Sequence, residues 1–171
     1  RRPRDVVVLS IHWGGNWGFD IPERHRALAH ALIDRGAVDL VHGHSSHHVK
    51  GLELYRGHLV IHGAGDLLTD YEGIGGMRAY RGELGLLYFP TLSLEDGRLT
   101  ELVATPTRVR KLRLERARGE DAAWLEETLD REGRARGLGT RVTRTHDDQL
   151  VLVGAADGGR SHAPTRGEEL T

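Results

Sequence analysis

Four histidines lie within seven residues of the chain, directly after a short apolar segment: His42, His44, His47 and His48. Imidazole is the commonest protein ligand for transition metals, and it also titrates near neutral pH. This density of histidines therefore predicts either a metal site or an acid–base site. The alternative interpretation is a solvated, histidine-rich loop with no chemical role.

A fifth histidine, His12, ends an earlier apolar run at residues 5–11, of the kind found in strands covered on both faces. A helix should follow, with Pro22 in its first turn and one apolar face formed by Ala27, Leu28, Ala31 and Leu32. Residues 38–41 then read as a second strand, which completes a right-handed βαβ unit with parallel strands. Both histidine groups should therefore meet at the carboxyl edge of the sheet, where open α/β sheets bind ligands.

The composition excludes several classes of protein. The formal net charge is −1, from 24 Lys and Arg against 25 Asp and Glu, so no overall field attracts nucleic acid. With no cysteine, there is no disulfide framework, and any metal site must use histidine and carboxylate ligands. The apolar runs are too short for a membrane span or a signal peptide, which favours a cytoplasmic protein without membrane insertion.

The remainder of the chain predicts more strands and one clear helix. A hairpin is expected at residues 49–55 and 59–62 around Arg56-Gly57, strands at 84–89 and 99–105, a helix at 120–134, and a closing hairpin at 141–145 and 150–153. Residues 108–114 alternate basic and apolar side chains, which predicts an exposed strand with a basic face. That face is either a polyanion contact or a solvated edge protected by charge. Trp13 and Trp17 either line the mouth of a pocket or cover the edge of the core.

The spacing of these elements places a possible metal site among their loops. His12, one or two of His44, His47 and His48, and Asp66 could converge on zinc, manganese or iron if the strands are neighbours. Asp70 adds a carboxylate four residues after Asp66. One or two such ions would activate water toward a phosphoryl or carbonyl group, which is the core of metal-assisted hydrolysis.

Three segments together resemble the later motifs of the bacterial capsule-biosynthesis CapA family, also called PgsA and associated with poly-γ-glutamate. These are Ser-Ile-His-Trp-Gly at 10–14, Asp-Leu-Val-His-Gly-His-Ser-Ser-His-His-Val-Lys-Gly at 39–51, and Gly-Ala-Gly-Asp-Leu-Leu-Thr-Asp at 63–70. The resemblance covers roughly residues 5–153. It implies an α/β fold of the calcineurin-like metallophosphoesterase type, a layered sandwich with metals bound by loops at strand ends.

The resemblance also assigns roles to individual residues. His12 and His47 match metal-binding histidines, and Ser45 stands where another histidine is usual, so either His44 replaces that ligand or the metal is bound differently. His12, His44 and His47 are thus the expected metal ligands. Asp66 replaces a usual asparagine, and Asp66 or His48 is expected to orient a ligand or carry a proton.

The family's early motifs, which supply the remaining ligands, do not occur in this sequence. We therefore expect the C-terminal part of a longer protein, with a domain at 1–153, a loose tail at 154–171, and the N-terminal part of the same protein as a partner. The leading hypothesis is metal-dependent hydrolysis of a phosphoester, or processing of an anionic poly-γ-glutamate or capsule-type substrate. Two rivals are a non-catalytic accessory module that binds an anionic polymer or a synthetase, and a metal-free, pH-responsive histidine cluster.

Overall fold

A computed structural model describes residues 2, 5–69 and 77–154, which form two β-sheets and two α-helices. The α/β class is confirmed. The elements in chain order are β1 (Val8–His12), α1 (Glu23–Asp34), β2 (Leu40–His44), β3 (Leu52–Tyr55), β4 (His58–Ile61), β5 (Leu84–Leu92), β6 (Leu99–Arg110), β7 (Arg113–Arg116), α2 (Glu120–Ala135), β8 (Thr140–Arg144) and β9 (Leu150–Gly154), with a 3₁₀ turn at Arg78–Tyr80.

The first sheet contains the predicted βαβ unit. Its strand order is β1-β2-β4-β3, and β1, β2 and β4 run parallel. In the register of β1 and β2, His12 lies beside His44. The prediction that His12 and the second histidine group meet at the carboxyl edge is confirmed for this pair.

The predicted hairpin that closes the first sheet is also confirmed. β3 and β4 pair in antiparallel fashion around Arg56 and Gly57, which have φ angles of 50° and 86°. Two successive left-handed residues give the turn a twist that matches the twist of the flanking strands, and glycine adopts such a φ without strain.

β1 is not covered on both faces, so that prediction is wrong. β1 is the edge strand of its sheet, and its residues alternate between exposed and half-buried, with Val8 54% exposed. Val7, Leu9 and Ile11 pack against the core cluster that includes Ala29 of α1. Only one face of β1 is therefore covered. No described element packs against the opposite face, which carries Val8.

The face that α1 turns to the sheet overlaps the predicted one only in part, because Leu32 packs against the core and Leu28 does not. Ala29 and Ile33 are its buried residues, whereas Leu28 is 44% exposed. Apolar residues occur around much of this helix, so periodicity alone did not select the face. Contact with the first sheet selects Ala29 and Ile33, which lie one turn apart. Pro22 occupies the N-cap position, immediately before the helix.

The second sheet is antiparallel, with strand order β5-β6-β9-β8 and β7 paired to β6. The predicted strands at 84–89 and 99–105 are both present and longer than expected. Residues 108–114 do not form a separate strand, contrary to the prediction. Their first part continues β6, and the chain then turns at Lys111-Leu112 into β7.

The main core joins both sheets and α2. Ala122, Leu125 and Leu129 of α2 are buried, as the sequence predicts, and the two leucines pack in one cluster with Leu59 of the first sheet and Leu102 of the second. Burying a leucine contributes on the order of 2 kcal/mol. In the part of the chain that the structure describes, no helix is long and apolar enough to cross a bilayer. The predicted tail, apart from Gly154, and Asp70 lie outside the described residues.

Candidate functional site

His12 and His44 are predicted metal ligands that lie next to each other. They are register partners at the ends of parallel strands, and their ring centroids lie 5.3 Å apart in an edge-to-face arrangement. His12 is exposed and His44 is half-buried. The sheet therefore presents two imidazoles side by side at its carboxyl edge, where both are accessible from solvent.

His42 extends this group along the same face of β2. Its ring centroid lies 5.7 Å from that of His44, and its Nδ1 is 3.3 Å from the hydroxyl of Ser10. Burial lowers the pKa of His42, and the neighbouring His44 lowers it further. His42 is therefore mainly neutral at physiological pH.

Gly43 separates His42 from His44 because no side chain fits at that position. A Cβ atom there would lie 2.3 Å from Nε1 of Trp13 and 2.7 Å from the carbonyl oxygen of Ile61. The same indole nitrogen donates a 3.0 Å hydrogen bond to the carbonyl of His62. The strand that carries His44 is thus held against the residue that follows His12.

Ser45 connects the two histidine-bearing loops. Its hydroxyl donates to the carbonyl of Gly14 at 3.2 Å, and its φ angle of 131° lies in a region that favours glycine. The amide of His47 also donates to the carbonyl of Asn16, at 3.0 Å. A strained non-glycine residue between two candidate ligands indicates that the surrounding contacts impose the loop conformation.

His47 is paired with a carboxylate. Its Nδ1 lies 2.9 Å from Oδ2 of Asp66, and its ring packs against Trp17 at a centroid distance of 5.5 Å. A carboxylate on Nδ1 fixes the orientation of an imidazole and makes its other nitrogen a better ligand or base. Asp66 therefore lies where a positioning residue for His47 is expected.

His48 lies in the interior. It is fully buried, its Nδ1 donates to the carbonyl of Val49, and its ring contacts Trp17, Phe19 and Tyr80. Burial lowers the pKa of His48 to about 4, so the ring is neutral at physiological pH. Its predicted role in proton transfer stays a prediction, although its surroundings are those of a packed core residue.

The described residues supply part of a metal site. Among residues 5–69 and 77–154, no group of three or more histidine and carboxylate side chains is arranged to hold an ion. His12 and His44 are neighbours that offer two nitrogen donors, whereas His47 is engaged with Asp66 and Trp17. His12 and His44 could therefore serve as two ligands of a metal site. The role of His47 as a third ligand stays a prediction.

Sequence reasoning missed a buried charged network behind the site. Glu53, on β3, accepts hydrogen bonds from Arg26 and His30 of α1 and from His62, at 2.7–3.2 Å. Burial alone would raise the pKa of Glu53, but these hydrogen bonds outweigh it and lower the pKa to about 2. The sequence signal for this network was an acidic residue, Glu53, between two leucines of a predicted strand. In the structure Glu53 is buried.

The two tryptophans have different surroundings. Trp13 is buried in the core between α1 and the first sheet, and its indole stacks on His25 at 4.8 Å, which supports the core-edge interpretation. Trp17 is half-buried and contacts both His47 and His48. Trp17 therefore belongs to the walls of the histidine loop.

A cavity of about 360 Å³ adjoins the histidine group. His42 and His44 line one side of it, and the other side is formed mainly by apolar residues of β5 and of the loop after β4. The cavity is lined by His42, His44, Ala64, Gly65, Leu67, Leu86, Leu87 and Tyr88. A molecule bound there would lie beside the exposed histidine edge.

The paired histidines lie at the carboxyl edge of parallel strands, where open α/β sheets bind ligands. Residues 1–71 match the family described as bacterial capsule synthesis protein PGA_cap. The matched segment contains every predicted site residue. The chain therefore belongs with the CapA-type capsule-synthesis proteins, as its motifs predict.

Individual relatives agree with this assignment. The chain is 45% identical over 157 residues to a probable polyglutamine synthesis accessory protein of Mycobacterium tuberculosis, a match that covers 92% of this chain and 40% of that protein. It is 34% identical over 70 residues to the PGA biosynthesis protein CapA of Bacillus subtilis, covering 41% of this chain and 18% of that protein. The capsule biosynthesis protein CapA of Bacillus anthracis is 32% identical over 66 residues, covering 39% and 16%. The chain thus spans at most about two fifths of the length of these relatives.

Proposed function

We propose that this chain supplies one wall of a metal-dependent hydrolytic site in a protein of poly-glutamate or capsule-type polymer synthesis. The observation that carries the proposal is the placement of His12 beside His44 at the carboxyl edge of two parallel strands. The names of the relatives support the pathway. The reaction class rests on the resemblance of the motifs to a metallophosphoesterase-type family.

In this proposal His12 and His44 hold a divalent ion, with manganese, zinc and iron as the candidates. The ion would polarise a phosphoryl or carbonyl oxygen and lower the pKa of bound water. Asp66 orients the imidazole of His47, which lies on the adjoining loop as a third ligand or as a base. The described residues provide two adjacent donors, so the remaining ligands would come from outside the described part of the chain.

A second candidate is a non-catalytic accessory module that binds an anionic polymer or a partner synthetase. One observation favours it specifically: the relative with 45% identity is itself named an accessory protein. The loop also departs from the family pattern at Ser45 and Asp66, where the motifs usually carry histidine and asparagine. In this candidate the same sheet edge binds its ligand without turnover.

Hydrolysis of a generic phosphodiester separates the two candidates. The longest natural polypeptide that contains this chain is assayed with added manganese or zinc, as wild type, His44→Ala and His146→Ala. The hydrolase proposal expects metal-dependent turnover that falls on the order of a hundredfold in His44→Ala, because a ligand is lost. His146 is exposed in the turn between β8 and β9, so His146→Ala is the matched control.

Equal turnover in His44→Ala and wild type would overturn the role of the histidine pair. Tight binding of poly-γ-glutamate with no turnover of phosphodiester or polymer at any metal concentration would favour the accessory module instead. Residual metal-independent turnover, unchanged in both variants, would indicate a contaminating phosphatase and would also count against the hydrolase proposal.

A further inference from the structure

The tip of the β6–β7 hairpin has an unfavourable backbone conformation. Lys111 and Leu112 form its two-residue turn, with φ angles of 51° and 56°. This turn normally uses asparagine and glycine, because other residues pay a steric penalty for left-handed φ angles. Here a lysine and a leucine take those positions, and Leu112 is 56% exposed. The strained turn therefore presents a cation and an apolar side chain to solvent.

The strands next to the turn place like charges opposite each other. Arg110 is the register partner of Arg113, and Arg108 is the partner of Glu115. Directly opposed like charges destabilise an antiparallel pair. Glu115 lies 3.6 Å from Arg110 and 3.8 Å from Arg108, and Arg108 is also paired with Asp121 at 2.8 Å. Arg110 thus shares its one carboxylate with Arg108, while Arg113 faces Arg110 across the hairpin.

The hairpin concentrates positive charge in a chain that is nearly neutral overall. Residues 108–118 contain six arginines and lysines and one carboxylate, whereas the whole chain has a net charge of −1. Lys111 and Arg113 are exposed and form no ion pair within the described part of the chain. Charge that protects a strand edge against aggregation needs neither a strained turn nor opposed arginines. These two additional features point to a ligand that compensates for them.

We propose that the β6–β7 hairpin is a docking site for a carboxylate-rich polymer, an inference that rests on the proposed role in poly-glutamate synthesis. Carboxylates of such a polymer would bridge Arg110 and Arg113 and turn their repulsion into paired, charge-assisted hydrogen bonds. Leu112 and Leu114, both exposed, would contact the methylene groups of the polymer. In this proposal the hairpin holds the polymer and takes no part in bond cleavage.

The test is binding of fluorescently labelled poly-γ-glutamate to the whole chain, measured by anisotropy at low and moderate salt. The test variant is R110Q/R113Q, and the matched control is R24Q/R35Q, which removes two exposed positive charges from the α1 region. We expect R110Q/R113Q to weaken binding by about tenfold or more and to reduce its salt dependence, since two charge contacts are lost. R24Q/R35Q should bind as the wild type does.

Thermal unfolding without polymer provides a second readout. Because R110Q/R113Q removes a repulsion, its melting temperature should equal or exceed that of the wild type, and polymer should raise it less. Equal polymer affinity in R110Q/R113Q and wild type would overturn the docking site, as would equal weakening in both double variants. Equal affinity for a neutral glutamine oligomer, or stronger binding to anionic lipid vesicles than to poly-γ-glutamate, would overturn the assigned ligand.

A variant of the histidine edge keeps this test independent of the proposed catalytic function. H12A/H44A should retain polymer binding at the hairpin even where it loses metal-dependent turnover. If H12A/H44A abolishes polymer binding and R110Q/R113Q does not, the hairpin proposal fails while the histidine edge remains a candidate site. If the hairpin variant alone loses binding, the docking site stands whether or not the chain supports hydrolysis.

Discussion

At the scale of single residues, the contact between Asp66 and His47 determines how that imidazole is presented. Oδ2 of Asp66 accepts from Nδ1 of His47 at 2.9 Å, which places the ring proton on Nδ1 in the neutral form. Ser45 and Gly14 connect the same loop to the segment after His12. Two side-chain contacts therefore orient the loop that follows β2.

Asp66→Ala should release the ring of His47 from a single tautomer. Loss of the hydrogen bond removes a preference of about 1 kcal/mol, which is enough to mix the two neutral forms. Long-range ¹H–¹⁵N NMR above about pH 8, where imidazole is neutral, reports the tautomer from the two ring nitrogen shifts. The His146 signals should stay unchanged. Identical His47 shifts in wild type and Asp66→Ala would show that this contact does not orient the ring.

At the scale of elements, close backbone approach holds the histidine strands in register. β2 passes so near the indole of Trp13 and the end of β4 that only glycine fits at position 43. Gly85 of β5 has a similar role toward the Asp66 loop, since a Cβ there would lie 2.2 Å from the carbonyl oxygen of Asp66. Each sheet thus has a glycine, Gly43 or Gly85, where a neighbouring backbone segment of the site leaves no room for a side chain.

Gly43→Ala should destabilise the protein by about 2–4 kcal/mol, because two of the three nearest atoms are backbone carbonyl oxygens that move only with β4. Urea denaturation followed by tryptophan fluorescence measures the change. Gly15→Ala is the matched control, since the nearest atom to its added Cβ lies 3.8 Å away. Equal unfolding midpoints for Gly43→Ala and wild type would contradict the close approach.

Local patterns predicted these elements better than they predicted their exposure. The Arg56-Gly57 turn, the βαβ unit and the buried face of α2 followed from turn chemistry and periodicity. The exposed face of β1 did not follow, because coverage of a strand depends on the elements packed against it. The face of α1 was likewise selected by tertiary contact, since its apolar residues are distributed around the helix.

At the scale of the whole molecule, the buried Glu53 network links α1 to the first sheet behind the site. Its carboxylate is 2% exposed and accepts from side chains on α1 and from His62, next to the end of β4. The sequence predicted the histidine edge from motif and topology, and His12 and His44 do meet. It did not predict this network, because pairing of residues 26, 53 and 62 becomes visible only in three dimensions.

Stability should fall in acid because of this network. The pKa of Glu53 is about 2 in the folded protein, compared with an ordinary value of 4.5. Its contribution to the free energy of unfolding is therefore complete above pH 4.5 and is lost as the pH falls toward 2. The loss amounts to about 3 kcal/mol. Burial also lowers the pKa of His62, which adds destabilisation in the same direction below pH 6.5. Urea unfolding from pH 7 to pH 2.5 measures both contributions.

Glu53→Gln should flatten the pH dependence of stability between pH 4.5 and pH 2.5 and lower stability at pH 7. Glu101→Gln, at an exposed position on β6, serves as the control and should follow the wild-type curve. A Glu53→Gln curve that runs parallel to the wild-type curve through this range would show that Glu53 is not the titrating group.

The central claim is that His12 and His44 hold one metal ion together, and a double-mutant cycle of metal affinity tests it most directly. Zinc and manganese affinities are measured for wild type, His12→Ala, His44→Ala, the double variant and the His146→Ala control. We predict that each single variant loses at least about tenfold in affinity and that the double variant loses much less than the product of the two, because both ligands serve one ion. Unchanged affinity in the single variants, or losses that multiply as for independent sites, would contradict the claim.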